Sequence, residues 1–204
     1  MKRFTLLFTL SFIVAMGMQA QGNAYNYFEN ADGQHGCILI GDVDNDGDLD
    51  VLIGGEQRKD PHLQRGGLYI NDGKGNFTKK DCPIMVGYKG NMDFGDIDGD
   101  GDLDIIFTGH KNLKVPEASA RGLALNDGKG NFTIADPAKY PTIAQPCYNA
   151  LFADLNNDGL LDYMLTPPDT QGHYDWEAKK SIKYSGKWTL FFQQPDGTFK
   201  MDEN

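Results

Sequence analysis

Residues 42–50 read DVDNDGDLD, five aspartates in nine positions, with apolar CILIG before them and VLIGG after. Two carboxylates about 4 Å apart repel by roughly 4 kcal/mol at an effective dielectric near 20. Crowding of this kind between segments that must be buried requires a cation among the side chains. Asp42, Asp44 and Asp46 occupy alternate positions, Gly47 permits a sharp turn, and Asp50 closes the loop. Every donor is oxygen, which suits a hard divalent ion and disfavours zinc or copper. Calcium, with about six to eight oxygen ligands, tolerates an irregular loop better than magnesium, which demands an octahedron. The carbonyl of Asp48 is the natural backbone ligand, and its side chain is expected to face water.

The same string returns twice. DIDGDGDLD supplies Asp96, Asp98, Asp100 and Asp104 with the carbonyl of Asp102, and DLNNDGLLD supplies Asp154, Asn156, Asp158 and Asp162 with the carbonyl of Leu160. About three calcium ions are therefore expected. Asn156 replaces a carboxylate with a neutral oxygen, so the third site is expected to bind more weakly. An EF-hand loop would carry an acidic ligand at its twelfth position and lead into a helix. Here that position is Ile53, Phe107 or Leu165, each inside an apolar run. Solvated acidic turns are the plain alternative, and three in phase argue against it.

The elements that must hold these loops are strands. CILIG, MDFG and ALFA precede the loops and VLIGG, IIFTG and YMLT follow them, all too short for ordinary helices. A second motif keeps the same beat: GLYINDGKGNFT from Gly67, GLALNDGKGNFT from Gly122, and the looser TLFFQQPDGTFK from Thr189. Its glycine-rich turn joins a third strand to a fourth. Repeats of this length are stacked structural units. The expected fold is all-β, a β-propeller-type array of three four-stranded antiparallel blades spanning approximately 24–80, 81–135 and 136–204. Closed propellers have about four to eight blades. Three imply a segment of a longer architecture, assembly with other copies, or edges protected in another way.

The DxDxDGxxD loop in an apolar hairpin, followed by NDGKGNF, resembles the FG-GAP/VCBS repeat of integrin-α-like β-propellers, over essentially residues 24–200. The resemblance implies a calcium-stabilised propeller on a secreted or surface protein that adheres, binds protein or carbohydrate, or accompanies a catalytic domain. The low repeat number and the degraded third turn depart from that pattern.

The rest of the chain sets the context. Lys2 and Arg3, the apolar residues 4–17 and a small residue at Ala20 have the layout of a cleaved secretory signal peptide over residues 1–20. The mature domain is then 21–204, with an extracellular, cell-surface or periplasmic location and no membrane span. The formal charge of −10 opposes binding to nucleic acid. Cys37, Cys82 and Cys147 are too few for a disulfide scaffold, match no zinc spacing, and read best as small buried residues, with any pairing left open. The four histidines, His35, His62, His110 and His173, show no catalytic spacing, and the clustered aspartates are committed to metal, so no enzymatic activity is expected. The sequons at Asn76 and Asn131 fall in repeat turns that structure already explains. The connector at 168–188 gathers His173, Tyr174, Trp176, Tyr184 and Trp188. It reads as an extra hairpin covering a blade edge, or as a sugar- or protein-binding surface in a lectin-like alternative. The leading expectation is an interaction or adhesion module with an unidentified protein or glycan partner and structural calcium.

Overall fold

The computed structural model describes residues 34–57, 60–64, 67–84, 90–109, 121–143, 147–166, 173–175, 180–182 and 188–203. The leader, the connector at 110–120 and most of 168–188 lie outside the described residues.

Alternating apolar segments with glycine-rich turns build three antiparallel sheets. The first runs through β1 (Gln34–Gly41), β2 (Asp50–Gln57), β4 (Gly67–Asn71) and β5 (Phe77–Lys80). A short β3 (Asp60–Gln64) pairs with the distal half of β2, beyond the stretch that pairs with β4. The second sheet is β6 (Met92–Gly95), β7 (Asp104–Phe107), β8 (Gly122–Asn126) and β9 (Phe132–Ile134). The third comprises β10 (Asn149–Ala153), β11 (Asp162–Thr166), β14 (Thr189–Gln193) and β15 (Phe199–Glu203). Between β11 and β14 the long connector forms a separate two-stranded hairpin of β12 (His173–Asp175) and β13 (Lys180–Ile182). The connector thus contains the hairpin expected of it, while most of its aromatic side chains lie outside the described residues.

Each sheet contains the expected four-stranded meander, and the register repeats. Gly41 opposes Asp50, Gly95 opposes Asp104, and Ala153 opposes Asp162, so each acidic loop is closed by its last aspartate in the same way. Because successive side chains in a strand point to opposite faces, the middle sheet packs on both sides. Ile105 and Phe107 join Val43 of the first acidic loop and Leu52 and Leu68 of the first sheet. Ile106 and Leu123 join Ala150, Tyr163, Leu165 and Phe191 of the third. In that second interface Tyr163 stacks on Phe191 with ring centroids 4.6 Å apart, and its hydroxyl donates to the carbonyl of Pro141 at 2.6 Å. The three sheets are therefore propeller-type blades in a stack, blade 1 on blade 2 on blade 3.

Close approach between blades depends on glycine at the end of the first strand. A Cβ at Gly41 would lie 2.8 Å from Leu103 and 3.2 Å from Phe94 of blade 2, and one at Gly95 would lie 2.7 Å from Leu161 and 2.8 Å from Phe152 of blade 3. We expect Gly95→Ala to destabilise the protein by about 1–3 kcal/mol in chemical denaturation, the usual cost of overpacking. An unchanged midpoint would mean that the phenylalanine above it moves freely.

The three cysteines are free thiols, Cys147 buried and Cys37 and Cys82 half-buried. Burial pushes the Cys37 and Cys147 thiols up to about 11, and Cys82 in the same direction, which fits inert apolar packing. No helix among the described residues is long and apolar enough to cross a membrane.

Candidate metal centres

Each acidic loop is wound around its first aspartate. Asp42 accepts from the N–H of Asp46 (3.2 Å) and of Gly47 (3.0 Å), Asp96 from Gly99 (2.8 Å) and Gly101 (3.0 Å), and Asp154 from Asp158 (3.1 Å) and Gly159 (3.0 Å). Such winding requires a left-handed residue at the fourth position, filled by Asn45 (φ 61°), Gly99 (φ 83°) and Asn157 (φ 60°). Asparagine and glycine are the residues that enter this region most readily.

This winding converges carboxylates. Asp42, Asp44 and Asp50 each place an oxygen within 4.8 Å of the others, and Asp96, Asp98 and Asp104 do the same. Asp46 and Asp100, expected among the ligands, lie outside these groups, and each accepts the N–H two residues on, Asp48 at 2.9 Å and Asp102 at 3.0 Å. In the third loop Asn156 takes the place of the second aspartate. Its amide donates to Asp158 at 2.9 Å and its carbonyl oxygen accepts the N–H of the same residue at 2.9 Å.

Desolvation, followed by repulsion from Asp46, raises the Asp44 carboxyl above its ordinary range. Asp98 is raised by desolvation and by Asp100. Burial lifts Asp50 as well and drives Asp104 up to about 7. These are groups short of a positive neighbour. Asp44 Oδ1 is buried without a hydrogen-bond partner, as a carboxylate oxygen reserved for a cation would be. The donor set therefore fits calcium.

The closing aspartate has a second task that spacing alone does not reveal. Asp50 accepts the N–H of Val43 (3.0 Å) and of Asn71 (2.8 Å), tying the loop to the end of β4. Asp104 does so for Ile97 (3.1 Å) and Asn126 (2.8 Å), and Asp162 for Leu155 (3.0 Å) and Gln193 (2.9 Å). All three are at most 1 % exposed. The only sequence signal was a repeated amide residue, Asn71, Asn126 and Gln193, at the end of each third strand.

Those amides also join blades. Asn126 Nδ2 donates to the carbonyls of Val43 (2.8 Å), in the loop of blade 1, and Leu103 (3.2 Å) in its own. Gln193 Nε2 reaches the carbonyl of Ile97 (3.0 Å) in the loop of blade 2. Asn45 Nδ2 of the first loop donates to Asp102 Oδ1 of the second at 2.7 Å. Asp102 also packs against the turn at Gly128, where a Cβ would come within 2.6 Å of its carboxylate, and Asp48 packs the same way at Gly73. The expectation that the Asp48 side chain faces water is corrected accordingly, because the adjoining turn folds over the loop.

No curated protein matches the chain. A family model described as an FG-GAP-like repeat matches residues 42–107, from the first aspartate of the first loop to the end of β7. Two consecutive acidic loops and the meander between them fall within that match, so this stretch of the propeller-type array is similar to an FG-GAP-like repeat.

Proposed function

We propose that this protein is a secreted, non-catalytic interaction module whose blades are fastened by calcium. The observation that carries the reading is the convergence of three carboxylates in each of the first two loops, one of them presenting a buried oxygen with no partner. Asp42, Asp44 and Asp50 would hold one ion and Asp96, Asp98 and Asp104 another, with carbonyl ligands from Asp48 and Asp102. Asp154, Asn156, Asp158 and Asp162, with Leu160, would hold a third more loosely. A bound ion supplies the positive charge that lets buried carboxylates coexist. It thereby stiffens loops that lie beside the next blade and leaves the surface around them to a protein or glycan partner on a rigid scaffold.

Calorimetric titration with calcium tests the metal part. Two sites of similar affinity and one weaker site are expected, with Kd values reaching about 10⁻⁴–10⁻³ M as in other extracellular modules. Asn156→Asp should tighten the weak site by roughly tenfold, in line with the dependence of affinity on ligand charge. Absence of bound calcium would end the reading. Calcium-dependent adhesion of chain-coated beads to cells or matrix, without turnover of polysaccharide or peptide substrates, is the outcome expected for the interaction role, and turnover would contradict it.

A further inference from the structure

Among the described residues the two ends of the blade stack are not alike, and each lacks what the interior interfaces provide. In the first loop Val43 is fully buried by blade 2, and in the second loop Ile97 is 1 % exposed beneath blade 3. Their counterpart in the third loop, Leu155, is 39 % exposed. At the other end Ile38 and Ile40 of β1 are 63 % and 54 % exposed, whereas Met92, the counterpart of Ile38 in blade 2, is 3 % exposed against blade 1.

The polar fasteners are split in the same manner. The junction of blades 1 and 2 uses a loop asparagine (Asn45) on an aspartate (Asp102) and a strand-end asparagine (Asn126) on a loop carbonyl (Val43). Blade 3 carries the first half of that set at its open end, Asn157 and the carbonyl of Leu155. Blade 1 carries the second half at its own, Asp48 and Asn71, the latter donating to Leu49 of the same blade at 3.1 Å. The packing pair is exchanged as well. Inside the stack a glycine lies under a phenylalanine, Gly41 under Phe94 and Gly95 under Phe152. At the ends the corresponding residues are Ala153 and Ile40: one side larger, the other smaller.

From this we infer that blade 3 of one chain packs on blade 1 of a second copy, head to tail, and that two copies close into a six-bladed ring. The occupant of each open face is another copy of this chain, since the two faces hold complementary halves of one interface and their paired volumes compensate. A heterologous contact of this kind forms a ring when the rotation closes. Six blades fall within the range of about four to eight in which propellers close.

Sedimentation analysis of the chain purified from a secreting host, in saturating calcium, tests the inference, with bound calcium measured on the same samples. A species of two chains is expected. Leu155→Asp or Ile40→Asp should each weaken it by at least roughly tenfold, as a charge placed in an apolar contact does. Ile40→Phe should weaken association by clashing with Ala153, and Ile40→Phe with Ala153→Gly should restore it by rebuilding the interior pair. A calcium-loaded chain that stays monomeric at about 100 μM, a concentration that would populate a standard interface, overturns the inference without touching the metal reading. So does an association that ignores these four substitutions, or an open ladder of higher oligomers in place of a closed pair.

Discussion

Treatment with EDTA is expected to lower the melting temperature of the calcium-loaded protein by on the order of 10 °C. An ion held at 100 times its Kd stabilises by about 2.7 kcal/mol, and about 1 kcal/mol moves the midpoint of a chain this size by about 2–4 °C. Two filled sites suffice for the stated shift. The effect has a direction in pH. In the metal-free protein Asp104 has its carboxyl raised from 3.8 to about 7, chiefly by desolvation. The folded state then binds more protons than the unfolded one between these values. Stability from this group is fully present below about pH 4 and is lost as pH rises through about 7. Metal-free protein should therefore melt lower at pH 8 than at pH 5, while calcium, which holds the carboxylate ionised, removes that loss. Differential scanning calorimetry at the two pH values, with and without EDTA, reads all four cases. Identical melting in every one would show that the loops hold no ion.

Asp104→Ala is expected to cost about 2–6 kcal/mol even in EDTA. The substitution strands the buried N–H groups of Ile97 and Asn126, and each unsatisfied donor costs about 1–3 kcal/mol. Set against a total stability of about 5–15 kcal/mol, that loss leaves a protein close to unfolding at ambient temperature. Asp104→Asn retains an acceptor for one donor and should lose roughly half as much. Asp98→Ala separates the two roles, because Asp98 converges on the metal cluster and its bond to a backbone N–H, that of Asp100, is long at 3.4 Å. Its deficit should appear in calcium and nearly vanish in EDTA. Urea denaturation of the three variants in both conditions distinguishes a keystone from a ligand. Equal losses for Asp98→Ala and Asp104→Ala in EDTA would place both in the same role.

Local chemistry is legible in a repeated sequence because backbone geometry and carboxylate spacing are short-range. Position-by-position repetition of DxDxDGxxD and NDGKGNF was enough to establish strands, turns, blade count and the oxygen-only character of the loops. It also placed Asp42, Asp44 and Asp50 in one cluster and Asp96, Asp98 and Asp104 in another. Asp46 and Asp100, also expected among the ligands, lie outside those two clusters, because alternate positions in a loop do not guarantee convergence. Once the chain winds around its first aspartate, the fifth residue caps the N–H two positions on. The β3 strand beside distal β2 came from a connector with no alternating pattern, so periodicity gave no warning of it.

Sequence alone determined the repeat, its strands and the crowding of carboxylates in its loops, since each is set by residues within one hairpin of one another. Only the tertiary structure decided which aspartate closes a loop onto the neighbouring strand, which glycine lies under which phenylalanine, and which of the described apolar side chains stay exposed at the ends of the stack. Those relations join residues about 20 to 100 positions apart, and the free energy of burying them depends on which sheet faces meet, a quantity that spacing along the chain does not encode.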